Sequence, residues 1–129
     1  MKDSASHIES YLRKSARAIR EAELLYTNEF YEAAVTQLYY ACFYAVHALL
    51  VKHDIRTKSH SGAKQMFGLH FIKPGIIPNE LGELYSSLLN NRQLIDYADG
   101  ADYTKEMLEE MIPKAKELIQ LINELIQIK

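Results

Sequence analysis

Ala33-Ala34-Val35-Thr36-Gln37-Leu38-Tyr39-Tyr40-Ala41-Cys42-Phe43-Tyr44-Ala45-Val46-His47-Ala48-Leu49-Leu50-Val51 is a run of 19 residues without a formal charge, bounded by Glu32 and Lys52. Its length approaches that of a bilayer-spanning helix. Its polar content argues the other way: Thr36, Gln37, Tyr39, Tyr40, Tyr44 and His47 are spread along it, and five alanines leave room for close neighbours. A helix that is apolar around most of its circumference is enclosed by other elements of a domain core. The run is therefore read as the central helix of a soluble bundle, with no membrane partner.

The rest of the chain fits that reading. A length of 129 residues is one domain, residues 1–129. Hydrophobic residues at 48% and charged residues at 25% are ordinary for a folded domain. Lys and Arg number 15 against 17 Asp and Glu, a net charge of −2. That excludes nucleic-acid binding by bulk charge and leaves only local patches. Five Gly, three Pro and no Trp leave little room for a β-sandwich or for glycine-loop nucleotide folds. The single Cys42 fits a reducing cytoplasm, and Met1 to His7 carry no apolar signal core.

Five helices are predicted, an all-α bundle of up-and-down type. The first runs from Ser4 or Ser6 to about Asn28, the second from about Glu29 to Lys52. A short third opens at His60 or Ser61 and has ended by Pro74-Gly75; the fourth spans about Glu80 to Tyr97. The last follows a Thr104 cap and carries Leu108, Met111, Ala115, Leu118, Ile122 and Leu125 as its seam, widened by Met107, Ile112, Ile119 and Ile126. Pro113 is expected to kink or delay that helix.

Two features bear on chemistry. From Lys52 to Lys73 the chain has Lys52, Arg56, Lys58, Lys64 and Lys73 against Asp54 alone, interleaved with His53, His60 and His70. Such a segment is either a solvated loop or a phosphate or RNA contact, for which Lys58, His60 and Lys64 are the candidates. Arg13, Arg17 and Arg20 share a face of the first helix, where pairing with Glu9 or Glu21 is the simpler reading. Arg92 lies four residues after Leu88 and three before Ile95, so it projects with the apolar stripe of the fourth helix. A guanidinium held there needs an anion, either Asp96 at i+4 or a phosphate. Glycine-rich phosphate loops and metal-ligand spacings are absent, so no cofactor or metal is expected.

Taken together, the alanine- and tyrosine-rich run, Lys58-Ser59-His60-Ser61-Gly62, Phe67-Gly68-Leu69-His70-Phe71 and Asn91-Arg92-Gln93-Leu94-Ile95-Asp96-Tyr97 resemble, in this order, the blocks of HEPN domains. The resemblance spans about residues 5–128. It implies a helical bundle that usually forms a homodimer. It also implies metal-independent endoribonuclease chemistry through an Arg-x4-6-His motif, with both subunits contributing to one cleft. Many members act as the toxin half of a toxin–antitoxin pair with a minimal nucleotidyltransferase. One subgroup extends the motif to Arg-x4-His-x-Tyr, whose Tyr the partner modifies with AMP.

Arg92 matches the motif Arg, but Tyr97 fills the x4 His position and Asp99 the later Tyr position, and no His follows His70. An unperturbed Tyr titrates near pH ~10 against ~6.5 for His, a poor match to proton transfer at neutral pH. The resemblance therefore implies an RNA- or nucleotide-binding protein whose ribonuclease activity is weak or lost. Two alternatives stand beside it. One is an active endoribonuclease toxin using Arg92 with Tyr97, His60 or His70. The other is a structural scaffold in which Arg92 and Asp96 form only an ion pair.

Overall fold

The structure, a computed structural model, describes residues 4–97 and 102–127. Five helices form the bundle: α1 (Ser4–Thr27), α2 (Tyr31–Lys52), α3 (His60–Phe67), α4 (Asn79–Tyr97) and α5 (Lys105–Gln127). A π-helical turn, Gly68–Ile72, extends α3. Strands are absent among the described residues.

Helix α2 is the axis of the fold, as its uncharged run requires. Ala34, Val35, Leu38, Tyr39, Ala41, Cys42, Ala45, Val46, Ala48, Leu49 and Leu50 are all fully buried. Against them pack Ala18 and Ala22 of α1, Leu81, Tyr85, Leu88 and Leu89 of α4, and Leu108, Ala115, Leu118 and Ile122 of α5. By length and apolarity α2 would pass for a membrane span, yet most of it is buried inside the bundle. The alanines allow the backbone of α1 to come close enough for Ser15 Oγ to donate to the carbonyl of Ala41 at 2.7 Å, a buried polar tie between the two helices. Such a bond satisfies a hydroxyl that would otherwise be costly to bury.

Both α1 and α2 stop in the same way. Glu29 (φ 65°) and Asp54 (φ 60°) take the left-handed conformation. The N–H groups that follow, of Phe30 and Ile55, bond back to the carbonyls of Leu25 and Leu50, each at 2.8 Å. These are Schellman stops, made with an acidic residue where glycine is usual. Glu29 therefore lies between the helices rather than opening the second one.

In α5 the buried line is Leu108, Ile112, Ala115, Leu118, Ile122 and Ile126. Met111 and Leu125, expected on the seam, are only half-buried. Pro113 neither delays nor ends the helix. Helix α5 runs through Pro113 without interruption, the proline lying on an exposed position where the Glu109 carbonyl, deprived of its usual donor, is open to water. Thr104 does cap the helix, its Oγ1 accepting from the N–H of Met107 at 3.3 Å.

Because α1 approaches α2 over alanines, enlarging one of them should overpack the interface. Ala45→Leu is expected to lower unfolding free energy by about 1–3 kcal/mol, read by urea denaturation. A loss below about 0.5 kcal/mol would show that the interface has slack.

Candidate functional site

The loop after α2 delivers His60 to a wall of aromatic rings. Ser59 caps α3, its Oγ accepting from the N–H of Gly62 at 2.9 Å. A Cβ on residue 62 would lie 3.0 Å from that oxygen, so glycine gives the cap its room. The cap sets His60 as the first residue of α3, with its ring 4.4 Å from that of Phe43 and edge-on to Tyr40 at 6.1 Å. Tyr39 Oη lies 2.5 Å from His60 Nδ1, a short hydrogen bond whose donor depends on the tautomer.

Arg92 comes to the same wall from α4. It is half-buried, and its Cζ stands 5.6 Å from the centre of the Tyr40 ring. Cation–π contact of this kind returns about 0.5–2 kcal/mol. Burial, and then the Arg92 charge, hold the pKa of His60 below its usual 6.5. Burial pushes the Tyr39 hydroxyl up to about 12, against a smaller opposing pull from its hydrogen bonding and from Arg92. The result is a neutral imidazole and a neutral phenol beside a fixed cation. Behind them lies the buried Tyr85 hydroxyl, whose nearest polar neighbour is the Tyr39 hydroxyl, each perturbing the other's pKa. It stacks against Tyr39, whose own hydroxyl is engaged by His60.

Of the residues singled out in the sequence, the structure brings Arg92 and His60 together. Lys64, one turn along α3, lines a neighbouring cleft of about 600 Å³ with Lys73, Asn79, Ser86 and Asn90. Lys58 is exposed in the loop before the cap. The side chains of Asp96 and Tyr97, and all of Asp99, lie outside the described residues. His70 is exposed on the π turn. On α1, Arg13 pairs with Glu9 and Arg17 with Glu21, each at 3.4 Å, as the simpler reading had it. Tyr39 is the site residue the sequence did not disclose. Among α2 tyrosines only its fully buried position, adjacent to the half-exposed Tyr40, marks it as the one facing inward.

Comparison with known proteins bears on the family and the fold. The family model described as HEPN domain matches residues 8–125. A Thermotoga maritima protein named "UPF0332 protein" is 32% identical over 127 residues, covering 98% of this chain and 96% of its own. A Methanocaldococcus jannaschii protein named "Putative toxin MJ0142" is 37% identical over 107 residues, 83% of this chain and 73% of its own. The crystal structure of ST0689, an archaeal HEPN homologue, superposes with a TM-score of 0.76 at 21% identity, over 98% of this chain and 100% of that one. At that identity it speaks for the fold alone.

The electrostatics of the aromatic wall make stability depend on pH. His60 and His47 both have pKa values held below 6.5, so their folded forms favour the neutral ring. The unfolded chain then binds more protons on acidification, and the stability present above about pH 6.5 is lost as pH falls through the depressed values. Thermal melting should therefore weaken from pH 7 to pH 5, and His60→Gln should make that decline shallower. An unchanged slope in His60→Gln would remove His60 from the cause.

Proposed function

This chain belongs to the HEPN domain family, and from that premise we propose that it is a toxin-type HEPN protein that holds an RNA or nucleotide phosphate at Arg92. The observation that carries the reading is the half-buried Arg92 set over Tyr40, within the electrostatic reach of a neutral His60. A phosphate adds charge-assisted, bidentate hydrogen bonds that a planar guanidinium suits better than any other side chain. Its arrival would also favour the protonated form of His60, so affinity should rise as pH falls. The name of the M. jannaschii relative supports the toxin type.

The working form in this reading is a homodimer, and the molecule's own partner in the cell is a minimal nucleotidyltransferase. Support for the dimer comes from a shallow apolar groove of about 590 Å³, one turn from Arg92, lined by Leu24, Leu25, Ala33, Thr36 and Ile95. Leu24 is 64% exposed there. A second copy seated on this groove would bring two copies of Arg92 towards one cleft, where like charges repel and a bound anion relieves them. Sedimentation should give twice the chain mass of 14.9 kDa, and Leu24→Glu should give the single mass. A wild-type monomer at micromolar concentration would overturn the dimer.

With Tyr97 at the motif position, cleavage of RNA is expected to be weak or absent. A second reading, an active endoribonuclease, draws on the Tyr39–His60 contact. If Nδ1–H donates to Tyr39, Nε2 is left as a base. It would take the proton of a ribose 2′-hydroxyl while that oxygen attacks the adjacent phosphorus. The bond from phosphorus to the 5′-oxygen breaks, giving a 2′,3′-cyclic phosphate and a 5′-hydroxyl that takes its proton from water. Incubation of RNA with wild type, Arg92→Ala and His60→Gln in the presence of a chelator decides between the two. Robust cleavage lost in both variants promotes the nuclease. Little or no cleavage, with nucleotide affinity reduced about tenfold in Arg92→Ala, supports binding alone. Equal affinity in wild type and Arg92→Ala would leave Arg92 as an ordinary ion-pair residue and the chain as a scaffold.

A further inference from the structure

The one stripe of α2 that the bundle leaves half-exposed is aromatic, and it does not stop at Arg92. Tyr40, Phe43, Tyr44 and His47 recur along the helix at steps of three and four, and all are half-buried. Tyr11 from α1 joins them, its ring 6.0 Å from Tyr44 and 4.3 Å from His47. Tyr40 and Tyr44 are themselves 6.0 Å apart, and Phe43 lies 5.9 Å from His47. With His60 against Phe43, these rings make one continuous surface from Arg92 to the far end of α2.

Cations accompany the rings along the way. Lys14 Nζ stands 5.1 Å from the Tyr11 ring and 5.8 Å from the Tyr44 ring. At the far end a polar cavity of about 310 Å³ is lined by His7, His47, Arg56 and Thr57, with Asp54 as its acid. On the opposite side of Tyr40 the character changes. Arg17 is taken up by Glu21, which also accepts from Gln37 at 2.8 Å, and the exposed side chains become aliphatic. The α2 stripe is thus divided into an aliphatic, acid-flanked end and an aromatic, cation-flanked end.

We infer that the aromatic half, from Arg92 and Tyr40 through Tyr44 and Tyr11 to His47, is a binding track for single-stranded RNA. The inference rests on the phosphate reading of Arg92 and gives that site its substrate class. Half-exposed rings offer π-faces on which unpaired bases stack, while spaced cations follow a phosphate backbone. A duplex hides its base faces and meets such a surface only through its phosphates. A second copy of this chain is the poorer occupant, because a two-fold contact here would set the patch's cations, Lys14 and Arg92, against a second set of the same sign. At the aliphatic end only the Arg92 pair approaches, and the anion proposed for that cleft relieves it.

Fluorescence anisotropy with a labelled ten-nucleotide single-stranded RNA, the matching RNA duplex and a labelled mononucleotide tests this at low and high salt. Wild type should bind the single strand at least tenfold more tightly than the duplex. Tyr44→Ala should weaken the single strand about tenfold and leave the mononucleotide unchanged, whereas Tyr44→Phe should retain wild-type affinity. Arg92→Ala should weaken both ligands. Unchanged single-strand affinity in Tyr44→Ala overturns the track while the Arg92 reading stands. Mononucleotide affinity unchanged in Arg92→Ala overturns the Arg92 reading and, with it, the track. A dimer that becomes a monomer in Tyr44→Ala assigns the stripe to self-association and overturns the track as well.

Discussion

The enclosure of α2 is the constraint on which the structure depends. A helix with no formal charge from Ala33 to Val51 has to be covered, and α1, α4 and α5 cover it on all but one narrow side. Burial of its side chains, at roughly 25 cal/mol per Å² of apolar surface, is the main source of stability in such a core. Its alanines decide how near the neighbours come, and Ser15 fits because they come near. What remains uncovered is fixed by the same geometry. The residual stripe between α1 and the α3–α4 side is where Arg92 and His60 meet.

That stripe differs in chemistry from an aliphatic packing face. An ordinary partly exposed core face is aliphatic and polar at its edges, whereas this one sets Tyr40 under a guanidinium and Phe43 against an imidazole. Burial among the rings favours the neutral forms of His60 and Tyr39 further, with Arg92 as the fixed charge in their midst. A neutral histidine beside a permanent cation responds to an arriving anion by taking up a proton. In the proposed phosphate complex the site would therefore gain positive charge on binding, which fixed lysines cannot do.

Much of this was legible in the sequence, for identifiable reasons. The helix count, the Thr104 cap and the inward direction of Arg92 follow from local periodicity and capping chemistry, which act within a few residues. The α5 seam was displaced, Ile112 and Ile126 lying deeper than Met111 and Leu125, because the helix presents whichever rows α2 offers grooves for, and α2's grooves are not written in α5. Pro113 illustrates the same limit: its cost depends on which side of the helix it occupies. Arg92 and His60 could both be named as candidates, but their meeting depends on where the loop after Asp54 returns the chain. The role of Tyr39 was hidden for a similar reason. Neighbouring tyrosines look alike in sequence, yet Tyr39 turns into the core and Tyr40 towards Arg92.

The hairpin of α1 and α2 has a consequence for how the chain reaches this state. It is the most extensive helix pair in the molecule, its turn is only Asn28, Glu29 and Phe30, and the Glu29 stop closes it locally. Contacts between elements so near in sequence form with little loop-closure entropy, and chains rich in them fold in microseconds to milliseconds. During synthesis the hairpin is complete once residue 52 has cleared the ribosome, long before α4 and α5 exist to cover the other sides of α2. For several seconds, at about 5–20 residues per second, the growing chain presents its most apolar helix half-dressed. Nascent-chain chaperones, or a partner already present at the site of synthesis, would meet this protein first through that uncovered face.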